Sequence, residues 1–152
     1  MMTFFRMKHL ALLAAALLAA PFATGQDPAD LGKTMFLVCT ACHGPDAKGL
    51  DVGGQKMAPS LVGSKIATGN PEVFAMIVLK GIQKEDTKWL GIMAPLETSL
   101  DDTNLAAVMT YVRSNFGNTA SAVTPEQAKA FREKWKDLKA PVTRAKVAEL
   151  SK

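Results

Sequence analysis

Apolar residues recur at helical spacing in four stretches of the chain, and no alternating, β-branched run marks a strand. Asp27 followed by Pro28 reads as an N-cap with proline at the first helical position, and Leu31, Met35 and Val38 then share one face. Asn70-Pro71-Glu72 repeats the start signal ahead of Val73, Met76, Ile77 and Lys80, with Gly81 as the stop. Ser99 to Asp102 reads as a capping box for a helix carrying Leu100, Leu105, Val108, Met109, Val112 and Phe116 and ending at Gly117. Thr124-Pro125-Glu126-Gln127 opens a further helix to about Leu138, on which Ala128, Phe131, Trp135 and Leu138 form one stripe; a shorter helix is expected after Pro141. Between the first two helices, residues 44–69 are rich in glycine and polar side chains, a length of loop that needs something to pack on. The predicted class is all-α.

The N-terminus has a different fate. Arg6, Lys8 and His9 precede an apolar run from Leu10 to Ala20, and Ala23-Thr24-Gly25 offers small residues for cleavage before Gln26. Residues 1–25 therefore read as a secretory signal peptide; a spanning helix needs about 20 apolar residues, and Pro21 interrupts the run too early. The mature protein is expected to be exported and soluble, with a bacterial periplasm as its compartment.

Composition then narrows the chemistry. The chain of 152 residues, with 18 Lys and Arg against 14 Asp and Glu, has room for one domain with appendages, and its two cysteines exclude a disulfide-dense scaffold or a four-thiolate zinc module. Without residues 1–25 it keeps 55 hydrophobic residues in 127, lean for a globular protein, as expected where a large apolar prosthetic group completes the core. Residues 27–118 carry eight basic against ten acidic side chains, and residues 119–152 carry eight against four. Any basic surface belongs mainly to the end of the chain. Nucleic-acid binding is disfavoured, since no concentrated basic and aromatic patch appears before it.

Both cysteines and His43, the one histidine outside the signal, fall in Cys39-Thr40-Ala41-Cys42-His43. A redox dithiol would be expected at a helix start after a strand, and no such strand precedes it. A zinc site would lack its fourth ligand, for no further Cys or His remains. A covalent haem site is complete: two thiols add to the two vinyl groups, and the next residue offers an imidazole to iron. Helical spacing at i, i+3 and i+4 lets all three side chains address one porphyrin edge.

Here the sequence resembles the class I (monohaem) c-type cytochromes, over about Asp27 to Asn118. The haem motif stands as Cys39 to His43 followed by Gly44, the downstream pattern as Pro59-Ser60-Leu61, the sixth-ligand loop as Gly91-Ile92-Met93-Ala94-Pro95, and the last helix as Leu105 to Phe116 with Tyr111-Val112-Arg113. One departure is that the aromatic residue usual four positions before the first Cys is Met35 here, with Phe36 three before it, so the first helix is open to a shifted register. The resemblance implies a cytochrome c fold, helices wrapped around one haem c held through Cys39 and Cys42, with His43 and Met93 on iron and the Pro59 carbonyl orienting His43. Of Met35, Met57, Met76, Met93 and Met109, only Met57 and Met93 fall in predicted loops, and the Pro that follows Met93 and Ala94 keeps that loop extended. Met57 is the alternative ligand. Gly32 and Tyr111 are expected to meet where the first and last haem-domain helices cross, and Trp89 and Tyr111 are each candidates to donate to a haem propionate or to pack, Trp89 in the core.

The domains expected are the signal peptide at 1–25, the haem domain at 26–118 and a basic helical extension at 119–152, which packs on the haem domain or docks on a partner or an anionic membrane surface. The function expected is electron transfer between redox partner proteins, a donor dehydrogenase or cytochrome complex and an acceptor oxidase or reductase, with no bond-making chemistry. Lys48, Lys56, Lys65, Lys84 and Lys88 fall in predicted loops that could rim the haem edge and steer a partner. The alternatives are a haem subunit or docking module of a periplasmic dehydrogenase or oxidase complex and, against the presence of Met93, a haem-based ligand sensor or peroxidase-like enzyme.

Overall fold

The computed structural model describes residues 27–85 and 88–152; the expected signal peptide lies outside them. The described chain forms helix α1 (Pro28–His43), a two-stranded antiparallel hairpin of β1 (Asp51–Val52) and β2 (Gln55–Lys56), and helices α2 (Lys65–Thr68), α3 (Pro71–Lys80), α4 (Asp102–Ser114), α5 (Pro125–Trp135) and α6 (Arg144–Leu150). The hairpin falls inside the glycine-rich loop, with Val52 facing Gln55, and is too short to carry a sheet of its own. The architecture is all-α.

Local chemistry sets the helix starts. The Asp27 carboxylate accepts from the Ala29 amide and Asn70 from Glu72, each ahead of a proline that has no amide proton to leave unpaired. At α5 the Thr124 and Gln127 side chains cap each other's backbone reciprocally. The start of α4 differs from the expected box: Asp101 is the cap, accepting from Asn104, because Ser99 and Leu100 are held in a turn on the Leu96 carbonyl. Leu100 before the cap and Leu105 in the next turn are buried in the same core, the arrangement of a hydrophobic staple. The helix also stops earlier, at Ser114, since Phe116 turns back in the left-handed region at φ 58°.

That turn closes the core. Phe116 stands 5.0 Å from the Phe36 ring and 5.5 Å from Tyr111, and Phe36 lies 5.5 Å from Tyr111. With Phe36 buried at this crossing of α1 and α4, Met35 is left to face the cavity described below. The helices approach so closely at Gly32 that a Cβ there would lie 2.5 Å from the Ala107 carbonyl oxygen and 2.8 Å from Tyr111 Cβ. Helix α3 is buried all round: Phe74, Ala75, Val78 and Leu79 join this core, while Val73, Met76 and Ile77 form a second cluster with Val142 and Val147.

The second cluster exists because the end of the chain folds back. Ala128 and Phe131 of α5 enter the main core, and the Trp135 indole donates to the Glu72 carbonyl. Leu138, expected in the helix, sits in the turn after it, its amide on the Trp135 carbonyl. Arg132 pairs with Asp102 at 2.7 Å and donates to the carbonyls of Glu97 and Leu100. The Lys80 ammonium, only 3% exposed, binds both Glu97 carboxylate oxygens and the Lys136 carbonyl. Among the described residues no helix is long and apolar enough to cross a membrane.

Candidate haem site

One cavity of about 570 Å³ opens between α1, α3, α4 and the loops, within the roughly 300–1,000 Å³ usual for a cofactor site. Its lining is largely apolar, and Cys39, Cys42, His43, Pro59 and Met93 all contribute to it. Residues separated by more than fifty positions in sequence are thus brought to one space.

The last turn of α1 delivers the first three. Cys39 and Cys42 are half-buried free thiols, and His43 is buried beside them. Burial, with a smaller contribution from Cys42, pushes the Cys39 thiol up to about 11. A redox dithiol is activated at a helix N-terminus that lowers the thiol pKa, whereas Cys39 and Cys42 stand at the C-terminal end of α1. Burial also holds the His43 imidazole below its ordinary value, against the opposing effect of its hydrogen bond to the Pro59 carbonyl. That bond, 2.9 Å from Nδ1, fixes the tautomer: a carbonyl only accepts, so Nδ1 carries the proton and Nε2 keeps its lone pair. Among the described residues no group of three or more His, Cys, Asp or Glu side chains is placed to hold a metal ion by itself. An apolar cavity with two thiols and one oriented imidazole at its wall fits a macrocycle that brings its own iron.

The glycine-rich loop is pinned to this helix end. The Gly49 and Leu50 amides bond the carbonyls of His43 and Cys42, and Leu61 bonds Ala47. Two residues that the helical pattern did not single out finish the job. Asn118, 5% exposed, accepts from the Gly63 amide and donates to the carbonyls of Leu61 and Val112, tying the loop after Pro59 to the end of α4. Arg113, buried one turn beyond Met109, donates to the carbonyls of Ala67, Gly69 and Ser121. The available signal was an arginine at i+4 from an apolar helix position and an amide just past a glycine stop.

The segment around Met93 runs antiparallel to Ile82, whose amide donates to the Met93 carbonyl at 2.9 Å. Gly81 makes this approach possible: its φ is +70°, and a Cβ would lie 2.3 Å from the Met93 oxygen. Met35, Met57 and Met109 line the cavity as well. Trp89 also lines it, with the Lys88 ammonium 5.1 Å from its ring centroid, whereas Tyr111 is taken up by the aromatic cluster. Gly32 and Tyr111 meet as expected. Of the five loop lysines, Lys65 instead begins α2; Lys48 pairs with Asp46, Lys56 with Asp51, and Lys84 donates to the carbonyls of Trp89 and Leu90.

Comparison with curated proteins gives no match. A family model described as cytochrome c matches residues 29–116, from the first turn of α1 through Phe116. That is more than half of the chain and takes in every residue expected at the site, so the chain belongs to the cytochrome c family, whose members bind haem c covalently and transfer electrons.

Proposed function

We propose that the chain is an exported monohaem cytochrome c in which Cys39 and Cys42 form the thioether bonds and His43 and Met93 are the axial ligands, shuttling single electrons between redox partner proteins. The observation that carries this reading is the convergence of these four residues on one apolar cavity, with His43 already oriented by Pro59. When bound, haem supplies a ferric/ferrous couple that takes up and releases one electron. The protein's part is to hold that couple. The Pro59 carbonyl directs Nε2 and opposes the loss of basicity that burial causes, the lining is largely apolar, and a Met93 thioether on the iron would favour the ferrous form and raise the potential.

Met93 is preferred to Met57 on the backbone arrangement. Met57 stands two residues before Pro59, on the segment held against His43, and its carbonyl accepts from the Gly91 amide, while the Met93 carbonyl accepts from Ile82 just past the end of α3. With His43 and Met93 as the ligands, the imidazole and the thioether would reach the iron from two segments of chain far apart in sequence. Val38 and Ile92, 61% and 62% exposed, line the same cavity and mark the edge at which a partner protein would make contact. Export rests on the charged, apolar and small-residue pattern of residues 1–25, and the periplasm is the compartment in which covalent haem and such a signal agree.

The test is a pair of variants. Met93→Ala should abolish the six-coordinate low-spin ferrous spectrum and lower the potential, while Met57→Ala leaves both near wild type. The reverse outcome would move the ligand to Met57.

A further inference from the structure

Neither the family nor the electron-transfer role accounts for residues 119–152. These residues grip the Met93 segment from both sides. Before it, Val142 lies beside Ile82 in a parallel bridge: the Gln83 amide donates to the Val142 carbonyl at 2.8 Å, and the Val142 amide donates to Gly81 at 3.2 Å. Ile82 is the same residue whose amide holds the Met93 carbonyl, so Met93, Ile82 and Val142 lie side by side, joined by two rungs. After it, Arg132 of α5 donates to the Glu97 and Leu100 carbonyls, while Glu97 is held by the buried Lys80, itself bonded to the Lys136 carbonyl. Met93 packs against the cluster that Val142 and Val147 complete, and Val147 lines the haem cavity.

We propose that residues 119–152 are a clasp on the distal loop: by anchoring Ile82 and the Glu97–Leu100 turn, the extension sets how readily Met93 leaves the iron and an outside ligand takes its place. The inference rests on Met93 being the sixth ligand. Physically, an outside ligand binds only the open-loop population, so its apparent affinity scales with the fraction of molecules in which the loop is open. Val142 and Val147 are 3% and 8% exposed; a carboxylate at either position is driven into water, taking the rungs with it.

The experiment is imidazole titration of the ferric holoprotein, full chain, followed by its absorption spectrum. Val142→Asp and Val147→Asp should each raise the apparent affinity about tenfold or more, and Val142→Ala should raise it by a smaller factor. Lys139→Ala, on the exposed turn after α5, should leave it unchanged. Far-UV dichroism of each variant checks that α1 to α5 remain folded, and the milder Val142→Ala carries the test if the carboxylates prevent folding. Met93→Ala separates the two claims. If it raises imidazole affinity while the Val142 and Val147 variants do not, the clasp is wrong and the ligand stands; if none of them raises it, the ligand assignment and the clasp both fall.

Discussion

Replacing Gly32 by alanine sets two effects of opposite sign against each other. Intrinsic helix propensity favours the change by about 1 kcal/mol, since glycine loses more backbone freedom in a helix. Packing opposes it. The new Cβ would stand 2.5 Å from the Ala107 carbonyl oxygen, where ordinary contact begins at 3.4 Å, so α1 has to retreat by 0.9 Å from α4. The obstacle is a helix backbone backed by Tyr111 Cβ, which cannot swing aside as a flexible side chain would. A gap of that size forfeits a quarter to a half of the dispersion energy across the contact, including that between Phe36 and its two aromatic neighbours. Taking the upper part of the usual overpacking range, about 3 kcal/mol, and subtracting the propensity gain leaves a net loss of about 2 kcal/mol. Guanidinium unfolding of the ferric protein followed by far-UV dichroism should show this as a lower midpoint with unchanged slope, and the melting temperature should fall by about 4–8 °C. A variant as stable as wild type, or more stable by the propensity term, would refute the close crossing of α1 and α4.

Other sites give equally direct expectations. Asn118→Ala strands the Gly63 amide and two carbonyls at a buried position, and should cost about 2–3 kcal/mol in thermal or denaturant unfolding. Glu97→Ala leaves the buried Lys80 ammonium with only the Lys136 carbonyl; the loss should be about 2–3 kcal/mol, below the full range for a buried pair because Glu97 is 32% exposed. Combining it with Lys80→Met should recover most of that loss, and a double variant no more stable than Glu97→Ala would show that the ion pair is not what is being measured.

Much of the molecule is legible in the residues because the signals are local. Asp27-Pro28, Asn70-Pro71 and the Thr124–Gln127 box each satisfy unpaired amides within one turn, and all three helices start where those residues stand. The haem motif is equally local, since i, i+3 and i+4 on α1 suffice to align two thiols and an imidazole. What the pattern misplaces depends on tertiary contact. Ser99 offers a plausible cap, but the Leu96 turn takes it up and Asp101 acts instead. Phe116 fits the apolar stripe of α4, yet it leaves the helix to reach Phe36. The roles of Arg113 and Asn118 depend on carbonyls more than forty positions away, and no local pattern reports such partners. The extension shows the same limit: its stripe predicts that something is covered, but only the fold reveals that α3, α4 and the bridged pair Ile82 and Met93 lie beneath it.

The electron-transfer reading stands or falls on an optical redox titration of the purified holoprotein. It predicts haem that stays with the chain under denaturing extraction, one haem per chain, and a single reversible one-electron transition between low-spin ferric and ferrous forms. Haem lost on extraction, or a chain with no one-electron transition, would contradict it.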